Sequence, residues 1–247
     1  MQAEQPRPIT VSIVSHGQQA LLLPLLEQLE THCAELIDKV VLTVNISEQE
    51  FVAGRVWNFP LERVTNARPR GFGENHNVAF TRCHTPWFLV LNPDMRLAVD
   101  VLTPMLTQAS ADSGVLAPRV REPGKPHLEP HRGILTPKEI LLRRRPDYIA
   151  PQFPAWIPGM FMLFRAPAYA SVNGFDQRYF MYGEDFDICA RLRLAGWRLT
   201  VFEELVAIHD ARRASHRSLR HLCWHVGSLF QVWSSKAFWK YLKTRLK

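Results

Sequence analysis

The chain has 247 residues, 47% of them apolar, enough for one large domain, or one and a half, with a full core. No apolar run approaches the roughly 20 residues that span a bilayer, and the polar Met1–Pro8 offers no signal-peptide core, so the sequence predicts a cytoplasmic protein whose four scattered cysteines stay reduced. The net charge of +7 is uneven: residues 211–247 hold nine Lys or Arg and no acid, a basic arm behind a nearly neutral body.

In chain order, Ile9–Ser15 (ITVSIVS) is β-branched and bounded by Pro8 and Gly17, which predicts a buried strand. Gln18–Cys33 follows with helical spacing, Leu22, Leu25, Leu26 and Leu29 sharing one face. Lys39–Asn45 predicts a second strand and Arg63–Asn66 a short third. Gly71–Arg82 reads as a loop entering a helix, and Pro86–Leu91 as a buried strand that stops at Asn92-Pro93-Asp94. A helix over Val99–Ser110 and a strand over Gly114–Pro118 come next. Residues 120–158, rich in proline and charge, predict a long, partly mobile excursion facing a substrate. Gly159–Arg165 predicts a strand, Glu184–Ala195 a helix closed by Gly196, and Arg198–Phe202 and Leu205–Ile208 two strands. From Arg217 the tail is amphipathic, with Leu219, Leu222, Cys223, Val226, Leu229, Phe230 and Trp233 at helical spacing. A second basic piece, Lys236–Leu246, completes it. Alternating strands and helices argue an α/β fold with a mostly parallel sheet.

Ligands of open α/β sheets collect beyond the carboxyl ends of strands. Ser15-His16-Gly17, Asn45-Ile46-Ser47 and Asn92-Pro93-Asp94 stand there. Asp94, a carboxylate just past a buried strand, suits a hard divalent cation, and equally suits a plain turn. His209, after another strand, is a candidate ligand or a structural histidine. The run from Asn66 to Asn77 (NARPRGFGENHN) lacks the Walker ending and reads, taken alone, as a structural loop able to offer N–H groups to phosphate. The densest chemistry is Asn173–Trp197, where Glu184, Asp185 and Asp187 open a helix. Aromatic neighbours Tyr179, Phe180, Tyr182 and Phe186 predict a desolvated Asp185 with its pKa raised toward that of a general base.

These pieces, with VSIVSHG at Val11–Gly17, FLVLNPDM at Phe88–Met95 and WIPGMFMLFR at Trp156–Arg165, resemble the inverting family-2 glycosyltransferases of the GT-A fold, most of all the bacterial rhamnosyltransferase branch. The resemblance implies a Rossmann-like, mixed but mostly parallel sheet flanked by helices, catalytic over 1–210, with a C-terminal basic amphipathic helical extension. The nucleotide-binding half is expected at about 1–118 and the acceptor-binding half at about 119–210. It implies Asp185 as base with Glu184 beside it, and a divalent metal (Mg²⁺ or Mn²⁺) on Asp94 and His209. The implied donor contacts are Ser15, His16, Asn45, Asn66, Gly71, Phe72, Asn77, Asn92, Asp94 and Gly159. Two departures stand out: Asn45 where the family usually carries an acid, and Asn92 at the first acid of its Asp-x-Asp motif.

The implied reaction moves L-rhamnose from dTDP-L-rhamnose, or a sugar from a UDP donor, to a glycan or polyprenyl-diphosphate-linked acceptor in cell-surface polysaccharide synthesis. The basic tail suggests contact with an anionic membrane surface at the inner face, against the alternative that its apolar stripe packs on the domain. Nucleic-acid binding has no motif to support it. A nucleotidyltransferase would want a basic Gly-rich loop after the first strand, where Ser15-His16-Gly17-Gln18 stands. The intact Glu184-Asp185 pair argues against an inactive binding subunit.

Overall fold

The computed structural model describes residues 6–49, 54–210 and 219–245. Its centre is an eight-stranded sheet: β1 (Ile9–Ser15), β2 (Ile37–Val44), β3 (Leu61–Thr65), β4 (Trp87–Leu91), β5 (Met95–Arg96), β6 (Ser113–Arg121), β7 (Phe161–Arg165) and β8 (Arg198–His209), in spatial order β3-β2-β1-β4-β7-β6-β8-β5. The first four in that order run parallel, and β6 and β8 are parallel to each other. β7 is antiparallel to both β4 and β6, and β5 is antiparallel to β8. The sheet is thus mixed and mostly parallel.

Strand β1 shows why the sequence folds this way. Ile9, Val11 and Ile13 face one layer of core, against Leu22, Leu25, Leu26 and Leu29 of α1 (Leu22–Cys33). All four leucines are fully buried, and truncating one to alanine would cost about 2–5 kcal/mol. On the opposite face Thr10 and Ser12 are buried too, satisfied by Thr85 Oγ1 at 2.9 Å and His76 Nδ1 at 2.8 Å. His76 lies on α2 (Phe72–Phe80). The second core layer gathers Phe88, Val90, Met162, Phe164, Tyr169 and Phe175 on that face.

Several boundaries differ from expectation for local reasons. α3 is shorter, Leu102–Thr107, because Asp100 Oδ1 accepts from the Leu102 and Thr103 N–H groups and fixes the start. The 120–158 excursion contains α4 (Pro137–Leu142), opened by Thr136 Oγ1 accepting from Glu139 N–H, and an Arg132–Trp156 bridge closes the chain on either side of α4. The two strands expected at the end are one, β8, whose register against β6 shifts after Pro118. A further helix, α5 (Ala166–Ser171), follows β7 directly; six residues are too few to show a helical period in the sequence.

Helix α6 (Glu184–Leu194) carries acids in its first turn and Arg191 and Arg193 in its last, matching the helix dipole at both ends. Gly196, at φ +90°, ends it: Trp197 N–H reaches Leu192 O at 3.0 Å and Gly196 N–H reaches Arg193 O at 3.1 Å, a Schellman closure. Beyond residue 218 come α7 (Leu219–Ser234) and α8 (Lys236–Arg245). Their apolar stripe is divided. Val232, Phe238 and Tyr241 are buried against the domain, Phe186 touching the last two, and Trp233 Nε1 donates to Leu135 O. Val226, Phe230 and Trp239 remain 45%, 65% and 52% exposed. The arm at 211–218 and the side chains of Leu219 and Leu222 lie outside the described residues. Among the described residues no helix is long and apolar enough to cross a membrane.

Candidate active site

Ser15, His16, Asn45 and Asn92–Asp94 lie at or just past the carboxyl ends of β1, β2 and β4. Asn45 is the hub there. Its Nδ2 donates toward His16 Nδ1 (2.9 Å) and Arg70 O (3.0 Å), while its Oδ1 accepts from Asn66 Nδ2 and Arg70 N–H (both 2.8 Å). Donating and accepting at once needs a carboxamide; an ionised carboxylate has no donor. That explains Asn at this position: it ties together the loops after β1, β2 and β3. Asn66 continues to Asn75 Oδ1 at 2.6 Å, and Asn75 Nδ2 caps Gly71 O at 2.9 Å. Ser15 is buried, its Oγ accepting from Gln18 N–H at 3.3 Å, so it shapes the turn that exposes His16.

Asn77 points elsewhere. Its Oδ1 accepts from Tyr169 Oη and Phe175 N–H and its Nδ2 donates to Phe175 O. This is a structural clamp, and the neighbouring Asn75 occupies the loop side expected of Asn77. Asn75 and Arg70 lie inside the same Asn66–Asn77 run but carry no signal of their own in the sequence.

Asp94 and His209, 115 positions apart, are joined because β5 pairs with the end of β8, Met95 opposite His209. His209 Nε2 stands 3.2 Å from Asp94 Oδ2, and Asp94 Oδ1 is buried without a partner. Nδ1 faces Glu122 Oε1 at 3.9 Å. Burial lowers the His209 pKa, but Asp94 and Glu122 more than offset it, so the net shift is upward. Asn92, half-buried, lies across from β7, its N–H on Met160 O. An orphaned carboxylate oxygen beside an imidazole nitrogen fits a divalent cation with two protein ligands, leaving positions for diphosphate oxygens and water. Among the described residues no cluster of three or more His, Cys, Asp or Glu forms a fuller site.

The acidic run separates into three roles. Asp187 Oδ2 pairs with Arg191 Nε at 2.7 Å, and Arg191 reaches the Val172 and Gly174 carbonyls, so Asp187 holds scaffold. Glu184 is 6% exposed with one oxygen unpartnered; burial, then the neighbouring Asp185 charge, raise its pKa well above 4.5. Asp185 is better supported as an anion. Its Oδ2 accepts from Gly159 N–H (3.2 Å) and its Oδ1 from Phe186 N–H (2.8 Å). Burial raises its pKa, while those N–H groups and Arg132 pull it partway back. The result is a carboxylate poised above the ordinary range and still ionisable, as a general base requires. Gly159 also lies against Phe72, so Asp185, the β7 edge and the start of α2 meet. Arg132 has no counterpart among the residues the sequence singles out; nothing in a proline-rich excursion marks it.

Near Pro158 and Met160, which flank Gly159, the sheet forks. β6 pairs with β7 only at Val115–Phe164 and Leu116–Leu163, then follows β8 while β7 stays with β4. An open cleft there is lined by Arg119, His131, Arg132, Trp156 and Met160.

A family model described as the N-terminal domain of galactosyltransferase matches residues 147–217, the stretch that holds Glu184, Asp185 and His209. Rhamnosyltransferase WbbL of Escherichia coli is 46% identical over 83 residues, covering 33% of this chain and 31% of its own. The chain is similar to bacterial rhamnosyltransferases in sequence. N-acetylglucosaminyl-diphospho-decaprenol L-rhamnosyltransferase of Mycobacterium tuberculosis is 30% identical over 165 residues, 58% of this chain and 53% of its own. The chain thus spans about a third to a half of the length of the curated relatives it matches. The GT-A fold is shared with a mannosyltransferase of Pyrobaculum calidifontis solved with GDP-Man and Mn²⁺ (TM-score 0.66, 16% identity, 92% of this chain and 64% of that one). It is shared also with GalNAc-T7 solved with UDP, GalNAc and Mn²⁺ (TM-score 0.70, 17% identity, 95% and 49%).

Proposed function

We propose that this domain transfers a sugar from a nucleotide-sugar donor to an acceptor hydroxyl with inversion. The observation that carries the reading is Asp185, buried with a raised pKa and held on Gly159 N–H just before β7. Asp185 takes the acceptor proton as the acceptor oxygen bonds to the anomeric carbon. The bond from that carbon to the diphosphate breaks on the opposite face, and the nucleoside diphosphate leaves. Asp94 and His209 would hold a divalent metal, whose chemistry when bound is to offset charge on the departing diphosphate. Asn45, Asn66 and Arg70 shape the nucleotide wall, and Gly159 leaves room for the sugar.

The donor is dTDP-L-rhamnose, with UDP-sugars the second class; the rhamnosyltransferase names of the sequence relatives support it. The acceptor enters by the cleft at Pro158 and Met160, which flank Gly159, with Arg132 and Arg119 suited to an anionic group such as a lipid diphosphate. Exposed Val226, Phe230 and Trp239, flanked by Lys236, Lys240 and Lys243, would rest on an anionic membrane at the cytoplasmic face. A thermal-shift panel of dTDP, UDP and GDP with and without Mn²⁺ tests the donor. Transfer by the wild type, lost in Asp185→Asn with nucleotide binding kept, tests the base. Full activity in Asp185→Asn would sink that assignment. Flotation with anionic liposomes, for full-length protein and a truncation after Asp210, tests the tail; equal behaviour would refute membrane contact through it.

A further inference from the structure

Glu184 and Asp185 begin α6 directly after a turn, Phe180–Gly183, with unusual backbone: Tyr182 has φ +72° and Gly183 φ +83°. A tyrosine in the left-handed region is strained and persists only where its surroundings impose it. Helix α7 supplies those surroundings residue by residue. Phe180 packs on Trp224, ring centroids 5.0 Å apart. Ser228 Oγ donates to Met181 O at 2.8 Å. Tyr182 stacks on His225 at 3.5 Å with the rings within 10° of parallel. A Cβ on Gly183 would stand 3.0 Å from Val232 Cγ2. Trp224, His225, Ser228 and Val232 share one face of the helix. The other side of the turn carries the nucleotide-side loop, since Phe72 N–H donates to Phe180 O at 2.9 Å. The turn's last carbonyl, Gly183 O, accepts from Asp187 N–H at 2.9 Å and so starts α6.

We infer that α7 is the positioning element of the general base: Trp224, His225, Ser228 and Val232 hold the Phe180–Gly183 turn in its left-handed form and thereby fix where Asp185 stands against Gly159. None of the four is a catalytic residue. The consequence is that the C-terminal extension belongs to the active site's support, with its inner face on the Phe180–Gly183 turn and its outer face, Val226 and Phe230, open. This rests on the reading of Asp185 as base.

The test uses the full chain carrying Trp224→Ala with His225→Ala, and His225→Phe alone as the variant that keeps the stack. Hydrogen exchange of amides 180–187 should quicken about tenfold in the double variant and stay slow in His225→Phe, with β1 and β4 unchanged in both. The kcat of the double variant should fall about 10- to 100-fold, as misplacement of a base by an ångström does, while KM for the donor and Mn²⁺-dependent nucleotide binding stay within about twofold. Unchanged exchange in 180–187 would overturn the inference. So would faster exchange throughout the domain with nucleotide binding lost, which marks general unfolding. If the wild type transfers no sugar, the catalytic reading fails by itself, and the exchange pattern still decides whether α7 holds the turn.

Discussion

Gly71 lies directly against Phe180: a Cβ at position 71 would stand 2.9 Å from the Phe180 carbonyl oxygen and 3.0 Å from its Cα. Gly71 has an ordinary φ of −64°, so glycine is needed here for space and not for torsion. The obstacle is backbone, which cannot swing aside as a flexible side chain would. Gly71→Ala must therefore push the Phe180–Gly183 turn, and Asp185 behind it, away from the nucleotide-side loop. We expect a loss of about 1–3 kcal/mol in stability and a lower kcat, read by thermal melting and steady-state kinetics. Gly227 in α7 gives the opposite sign: a Cβ there meets nothing within 4 Å, and alanine should stabilise the helix by about 0.5–1 kcal/mol. Equal melting shifts for the two variants would contradict the packing described.

With Asp185 as the proposed base, the pH dependence of transfer follows from its carboxyl. Its pKa is raised above the usual 3.8, chiefly by burial. The base works only when deprotonated, so activity is full above the raised value and falls as the pH drops through it. The acid limb of kcat/KM should lie higher than an exposed aspartate would place it. Arg132 holds the pKa partway down, so Arg132→Ala should move the limb to still higher pH while leaving nucleotide binding intact. A limb that stays put would show that Arg132 does not act on the base.

Asp94 and His209 should govern the metal and not the fold alone. Asp94→Asn keeps size and removes charge; His209→Ala removes the imidazole. Each should abolish the extra thermal shift that Mn²⁺ gives a nucleoside diphosphate, leaving the metal-free nucleotide shift largely unchanged. Persistence of the Mn²⁺ increment in both variants would place the ion elsewhere.

What the sequence shows and what it hides have physical reasons. β1 is legible to the residue because seven β-branched or small residues between Pro8 and Gly17 admit little else. α6 is legible because acids, basics and Gly196 mark both its ends. The two-residue β5 has no periodicity to read, yet it is what joins Asp94 to His209. Asn75 and Asn77 are two asparagines in one run; only the helix phase, set by packing on Phe175 and Tyr169, says which one faces the loop. Arg132 reaches Asp185 only because the excursion folds back through the Arg132–Trp156 bridge, a contact across 24 positions that composition cannot encode.

His76 carries the clearest stability prediction. It is fully buried on α2, bonded through Nδ1 to Ser12 Oγ, and burial pushes its pKa from 6.5 down to about 3. A histidine with a depressed folded pKa binds fewer protons folded than unfolded. Its contribution is therefore present above the unfolded value of 6.5 and is lost as the pH falls from there toward about 3. A folded pKa lying one pH unit below the unfolded one is worth about 1.4 kcal/mol, so the loss over that window amounts to several kcal/mol at most. His76→Gln keeps a polar group for Ser12 and does not titrate. Its melting temperature should be lower than wild type at neutral pH, through lost packing against Phe72 and Phe175, and should decline less steeply between pH 6.5 and 3. Parallel melting curves for the two proteins across that window would mean that His76 does not carry the acid sensitivity of the fold.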